Sequence, residues 1–179
     1  MRIMLIVLLV SLTACSSNKS NTINQYLELI ATDQETEMDT RVVNFADLYN
    51  NLDHNNVASE ATKTYAESLY FNDTLVTIEN RKELIEYLQQ TQQQVESMSL
   101  EVINVFAKDD DVFVQWKMQT LFTIMGKRSN VKSIGISHLR FDEDGKIILH
   151  QDYWDSTNGF FQHIPVIGGL ISWVKNRLH

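Results

Sequence analysis

The sequence predicts an α+β fold, a cone-shaped, curved antiparallel sheet packed against N-terminal helices. Two observations predict it. Apolar residues of the first half recur at three- and four-residue steps, whereas those of the second half alternate, so the buried side changes from helical to strand period. The alternating segments are joined by short acidic or glycine-bearing turns, which make hairpins, and helices that precede such a run of strands pack on one face of it.

Residues 1–14 read as an address rather than as structure. Arg2 gives a positive start, and Ile3 to Leu12 is an apolar run of about ten residues, half of the roughly twenty that span a bilayer. Leu12-Thr13-Ala14 is a small-residue cleavage pattern directly before Cys15. A signal peptide is therefore expected, with Cys15, the sole cysteine, as the site of a lipid such as palmitate. The alternative reading is a small free or buried thiol. Ser16, rather than an aspartate, follows it, which favours a lipid-anchored, periplasm-facing place on the bacterial outer membrane.

Residues 15–38 are read as the lipidated cysteine and its tether. Ser16 to Thr22 is short and polar, Ile23, Tyr26, Leu27, Leu29 and Ile30 leave room for a short helix, and Asp33 to Asp39 is acidic. The domain is expected to occupy residues 39–158. After cleavage about 165 residues remain, enough for one core. The formal net charge is −8, and losing Arg2 makes the remainder more acidic still. Such a chain has no basic stripe to neutralise phosphates, which excludes nucleic acid as the expected partner.

Val42, Phe45, Leu48, Tyr49 and Leu52 form one apolar stripe on a helix, with Asp39 or Thr40 as its cap. Val57, Ala61, Tyr65 and Leu69 continue as a second short helix. Lys82 to Gln94 is the third, with Leu84, Ile85, Leu88 and Val95 on its buried side. The period then changes. Leu100 to Ala107 leads through a Lys108-Asp109-Asp110-Asp111 turn into a strand with Val112, Val114, Trp116 and Met118 on one face and Gln115, Lys117 and Gln119 on the other. Val131 to Phe141 and Lys146 to Asp155 follow, joined by Asp142-Glu143-Asp144-Gly145. Alternation places His150, Asp152 and Trp154 on one face of the last strand, and Ser137, Leu139 and Phe141 on one face of its neighbour, opposite to Ile136, His138 and Arg140.

Gly135-Ile136-Ser137-His138-Leu139-Arg140-Phe141, the acidic glycine turn, and His150-Gln151-Asp152-Tyr153-Trp154-Asp155 together resemble the closing hairpin of SnoaL-like proteins, part of the nuclear transport factor 2-like superfamily. Tyr70-Phe71-Asn72-Asp73-Thr74 resembles their Phe-x-Asp-Pro strand, with Thr74 in place of proline. The tail, from His163-Ile164-Pro165-Val166-Ile167-Gly168-Gly169 to Trp173-Val174-Lys175-Asn176-Arg177-Leu178, resembles the ending of one proteobacterial lipoprotein branch. The resemblance spans about Arg41 to Leu178. It implies a cystatin-like α+β barrel, and a superfamily of cyclases, isomerases, epoxide hydrolases, dehydratases and non-catalytic binding modules, so fold alone does not assign a reaction.

Asp152 matches the acid/base aspartate of SnoaL-like cyclases, with His150 two residues before it. An apolar cavity desolvates a carboxylate and raises its pKa toward a value useful for proton transfer beside a carbonyl. Catalysis, ligand orientation and a purely structural His150–Asp152 hydrogen bond all remain open. Asp73 matches by spacing the general base of ketosteroid isomerases, whose oxyanion donors fall here on Phe45 and Ser137, so that donor set is missing; the other reading of Asp73 is a turn cap. Tyr49, Trp116, Ser137 and Trp154 are the expected ligand-binding set, although aromatics at core spacing are more often packing. His138 is expected on the outer face, bound to Arg140 or to backbone.

No metal-ligand cluster, phosphate loop or nucleophile elbow occurs, and His54, His163 and His179 are scattered, so neither metal nor cofactor is implied. Residues 159–179 read as an apolar C-terminal helix, basic only at Lys175 and Arg177. It is open to two roles, a helix in the membrane interface and a lid or contact between copies. The expected function is a lipoprotein module that binds a small apolar or lipid-like molecule. The alternative is a cofactor-independent isomerase, cyclase or hydrolase using Asp152 and His150. The expected partners are the membrane, through Cys15 and the tail, and a small apolar ligand. A homodimer through the polar outer face of the sheet is compatible with the sequence.

Overall fold

The computed structural model describes residues 19–31, 39–50 and 52–178. The expected signal peptide, Cys15 and His179 lie outside the described residues. Helix α1 (Lys19–Ile30) belongs to a unit separate from the one that holds residues 32–179, so part of the segment read as a tether is helical.

In the second unit, α2 (Thr40–Asn50) begins where Asp39 caps it, the carboxylate accepting the Arg41 N–H at 2.9 Å and the carbonyl accepting the Val42 N–H at 2.8 Å. The Arg41 guanidinium also bonds that carboxylate and holds it below the usual carboxylate range. The predicted stripe is the buried one: Val42, Phe45, Leu48 and Tyr49, with Leu52 just beyond. Asn56 then caps α3 (Val57–Thr64) through the Ser59 N–H.

Two elements depart from the expected helices. The stripe from Val57 to Leu69 is not one helix: α3 stops at Thr64, and Tyr65 and Leu69 lie on β1 (Tyr65–Asn72). A spacing of four keeps residues on one side in either geometry, so periodicity does not discriminate here. Thr64, whose hydroxyl bonds back to the Glu60 carbonyl at 2.8 Å, is the last helical residue. The short strand β2 (Thr77–Asn80) was not expected. It returns along β1 and ends at Asn80, which caps α4 (Arg81–Gln94) through the Glu83 N–H. Val95, expected on the buried side of α4, instead opens β3.

The remaining strands are β3 (Val95–Lys108), β4 (Asp111–Ile124), β5 (Lys127–Phe141) and β6 (Ile147–Trp154). The sheet order is β2-β1-β6-β5-β4-β3, and the sheet is curved and unclosed. Every ladder is antiparallel except β1 with β6, which is parallel, so the sheet is mixed rather than wholly antiparallel. The reason is topological: α4 carries the chain from β2 at one edge of the sheet to β3 at the other, so the last strand, β6, comes to lie beside β1 with no hairpin between them. Helices α2, α3 and α4 supply Phe45, Leu48, Ala61, Leu84 and Leu88 to one core with Leu100, Val112, Val114 and Leu139 of the sheet. On the outer face the polar residues are paired within the sheet: Lys117 with Glu101, Gln115 with Asn104, and Gln119 with Asn130.

The tail is not one helix from residue 159. It forms a turn, α5 (Ser156–Gly159), a 3-10 turn over Phe161–His163, and then α6 (Ile167–Lys175). Pro165 lacks an N–H and Val166 sits at φ 71, so the helical ladder cannot run through them.

His138 does not bind Arg140. Both instead converge on Asp111 at the start of β4, His138 Nε2 at 2.7 Å, and Phe113 stacks on the imidazole at 4.5 Å. Arg140 first and His138 second pull the Asp111 carboxyl from 3.8 down to about 2. A depressed folded value means that this clasp stabilises the fold above the unfolded value and is lost as pH falls through the folded one. Asp111→Asn is therefore expected to lower the melting temperature near neutral pH and to match the parent protein at about pH 2, as read by thermal denaturation across that range.

Candidate functional site

Strand alternation builds the site. Trp116, Met118, Thr120 and Phe122 of β4 face inward, beside Val131 and Ser133 of β5 and Asp152 and Trp154 of β6. With Tyr49 of α2, Phe71 at the end of β1, Tyr87 and Leu88 of α4, and Asp73, they line a cavity of about 780 Å³. Its wall is predominantly apolar. The exposed side chains Gln93, Gln94, Glu96 and Thr123 mark its mouth, where β3 begins and β4 ends. Gly159 and Phe160 come in from the tail, and Phe160 meets Phe122 at 6.4 Å between ring centroids.

Strand register decides which groups meet. Ser137 lies opposite Asp152, and Gly135 lies between Trp116 and Trp154. The Trp116 ring crosses β5 over Gly135, where a Cβ would stand 2.6 Å from Cη2 of the indole, so only glycine leaves it room. From there Trp116 Nε1 donates to Ser137 Oγ at 2.9 Å, and Ser137 donates to Asp152 Oδ1 at 2.5 Å. A second line reaches the same oxygen. Tyr49 and Tyr65 share a hydrogen bond of 2.9 Å, the Tyr65 hydroxyl is 2.7 Å from His150 Nδ1, and His150 Nε2 is 2.7 Å from Asp152 Oδ1.

The partners assign the donors. A carboxylate only accepts, so the neutral imidazole carries its proton on Nε2, Tyr65 donates to Nδ1, and Tyr49 donates to Tyr65. Every hydrogen in both lines points toward Asp152. Burial pushes both phenols well above their ordinary range, so Tyr49 and Tyr65 stay protonated. Both lines end on Oδ1, and among the described residues no buried polar side-chain atom lacks a partner, so Oδ2 is open to the cavity. The Asp152 side chain keeps 14% exposure, against 2% for His150.

Asp73 is treated differently. Its Oδ1 caps the turn by accepting the Leu75 and Val76 N–H groups at 2.9 and 3.0 Å, and its Oδ2 accepts the Tyr87 hydroxyl. Its backbone carbonyl takes Trp154 Nε1 at 2.7 Å. Burial first and Asp73 second push the Tyr87 phenol upward. Thr74, where the resembling pattern has proline, sits at φ 74, a conformation closed to a proline ring.

Of the residues singled out in the sequence, Asp152, Asp73, Tyr49, Trp116 and Trp154 line the cavity. His150 and Ser137 stand behind Asp152, buried, and act on it rather than on the cavity. Phe45 packs edge-on against His150 at 5.5 Å. Sequence reasoning missed Tyr65, Tyr87, Phe71 and Phe160. Tyr65 carried no local signal, because its partner His150 is 85 positions away.

Tyr65→Phe would leave Nδ1 of His150 buried without a partner, a loss of about 1–3 kcal/mol. Chemical denaturation should show that loss, while Tyr49→Phe, which leaves the imidazole satisfied, is expected to lose less. Gly135→Ala is expected to displace Trp116 and so to change its fluorescence and remove the bond to Ser137.

A family model for the SnoaL-like domain matches residues 42–150. A search of curated proteins finds no match. Solved structures similar to the chain include a hypothetical protein with a ketosteroid isomerase-like fold from Catenulispora acidiphila DSM 44928, in complex with trimethylamine, at 17% identity and TM-score 0.58, covering 73% of this chain and 96% of that one. A second is an LEH-like epoxide hydrolase of M. tuberculosis, at 17% identity and TM-score 0.54, covering 77% and 90%. A third is designated a SnoaL-like polyketide cyclase, from Shewanella denitrificans OS-217, at 15% identity and TM-score 0.57, covering 66% and 90%. At these identities the likeness is one of fold.

Proposed function

The chain belongs to the SnoaL-like domain family, and from that premise we propose that its cavity binds a small, largely apolar molecule whose one polar group meets Asp152. The carrying observation is the carboxylate itself: Oδ1 is held by His150 and Ser137, and Oδ2 opens into an apolar enclosure. An oxygen so placed gains most from a ligand hydroxyl or other donor, because a hydrogen bond is stronger beside apolar walls than in bulk water. His150 and Ser137 are positioning residues in this reading. The domain is carried on a lipid at Cys15, facing the periplasm, in a proteobacterial lipoprotein. Arg2, the apolar run, Leu12-Thr13-Ala14-Cys15 and the tail motif support that part.

A second reading rests on the same oxygen. Asp152 Oδ2 accepts a proton from carbon beside a ligand carbonyl, the electron pair moves to the carbonyl oxygen, and the proton returns at another atom, a cofactor-independent isomerisation or cyclisation. Binding ranks ahead of it because the developing oxyanion needs donors. Phe45 has none, Ser137 is committed to Asp152, and the Tyr49 and Tyr87 hydroxyls are tied to Tyr65 and Asp73.

Binding of long-chain alcohols and of the matching hydrocarbons, measured by displacement of N-phenyl-1-naphthylamine, tests the reading. Asp152→Asn is expected to weaken the alcohols by about ten-fold or more, as a hydrogen bond to a charged group is worth roughly 1.5–3 kcal/mol, and to leave the hydrocarbons unchanged. Equal effects on both sets would remove Asp152 from recognition. If a substrate is found, binding kept and turnover lost in the same variant would move the assignment to the second reading.

A further inference from the structure

Helix α6 is built the wrong way round for a helix docked on a protein. The side turned to the domain carries Gly168, Ile171 and Lys175. Gly168 lies so close to the Gln162 backbone that a Cβ would stand 2.8 Å from its carbonyl carbon, and Lys175 Nζ donates to Asn158 Oδ1 at 2.8 Å. The outward side carries Ile167, Leu170, Trp173 and Val174, and Val166 and Leu178 extend it; Leu170 is 62% and Val166 88% exposed. A lid would present these to the core, which takes none of them.

Charge selects among occupants. The chain is acidic, with net charge −8, yet no Asp or Glu occurs from Ser156 to the last residue, while Lys175 and Arg177 close the patch. Arg177 stacks over the outward Trp173 at 3.8 Å, which puts an aromatic ring and a cation at one edge of an apolar surface. That combination matches a bilayer interface, where tryptophan sits at headgroup depth and basic groups meet lipid phosphates. A second copy of this chain fits less well. The patch offers no carboxylate to Arg177, and a nine-residue helix is about 14 Å long, short for a stable interface of about 800 Å² per partner. Among the described residues no helix is long and apolar enough to cross a membrane, so α6 would lie along one.

We propose that α6 is a membrane-interface helix, its Ile167, Leu170, Trp173 and Val174 side inserted among lipids of an anionic leaflet and Lys175 and Arg177 at the phosphates. Only a few residues separate it from Gly159 and Phe160 in the cavity wall, and His163 meets Phe122 edge-on at 5.9 Å. Docking therefore brings the cavity wall to the lipid surface and names the ligand source as a molecule dissolved in the membrane. That last step rests on the cavity reading above; the docking itself does not.

The full chain, reconstituted in phosphatidylethanolamine–phosphatidylglycerol vesicles, is compared with and without bromine on the lipid acyl chains. Tryptophan emission is expected to be quenched by bromolipid, and Trp173→Phe to abolish the quenching, since Trp116 and Trp154 belong to the cavity wall. Leu170→Asp, on an exposed position that leaves the core intact, should reduce the quenching several-fold. Emission that bromolipid leaves untouched while the protein stays on the vesicles would overturn the proposal. So would a dimer in detergent that Leu170→Asp dissociates, seen by light scattering, because the second copy would then be the occupant. N-phenyl-1-naphthylamine uptake on the same samples reports the cavity separately: loss of quenching with uptake retained strikes the docking alone, and loss of uptake with quenching retained strikes the cavity reading alone.

Discussion

One buried imidazole organises this domain. His150 is 1% exposed, and both of its ring nitrogens must be satisfied away from bulk solvent. Tyr65 satisfies one and Asp152 the other. Phe45, Tyr49 and Phe71 meet the ring edge-on and Tyr65 lies parallel to it, so the imidazole is packed among four aromatic rings. Each of these contacts has a topological requirement. Tyr65 reaches His150 because β1 lies beside β6, Ser137 reaches Asp152 because of the β5/β6 register, and Trp116 reaches Ser137 because position 135 has no side chain. Asp152 is aimed by residues of four strands.

The two cavity carboxylates show how surroundings divide roles between identical groups. Asp73 spends both its oxygens on Leu75, Val76 and Tyr87, which leaves a well-anchored turn and no unpartnered carboxylate oxygen. Asp152 spends only Oδ1. The reading of Asp73 as a turn cap and its place in the cavity wall are thus both true of one residue, and the difference from Asp152 lies in the unoccupied oxygen.

Much of this was legible from residue spacing. The stripe from Val42 to Leu52 is the buried side of α2, the alternation from Val112 to Met118 is the inward side of β4, and a separation of two put His150 and Asp152 together on β6. What stayed hidden depends on partners distant in sequence. Tyr65 reads as helical because a step of four is common to both periods, and only its bond to His150, across the parallel ladder, reveals its place. Tyr87 follows Glu86 on α4 and gains meaning only once the turn carries Asp73 to it. The tail was recognisable as apolar, but Pro165 and Val166 divide it, and spacing alone does not tell which side of α6 faces out.

The parallel ladder also sets an order of events during synthesis. The Tyr65 strand has only the four-residue β2 beside it until β6, 85 positions on, has left the ribosome. Until then its other edge is unsatisfied and the tyrosine has no imidazole to bind. Closing so long a loop is slow relative to forming the β3–β4–β5 meander, whose neighbours are local. The nascent chain therefore waits for its last strand before the hollow is complete, and a protein truncated before residue 147 lacks the strand that carries His150, Asp152 and Trp154 into its wall.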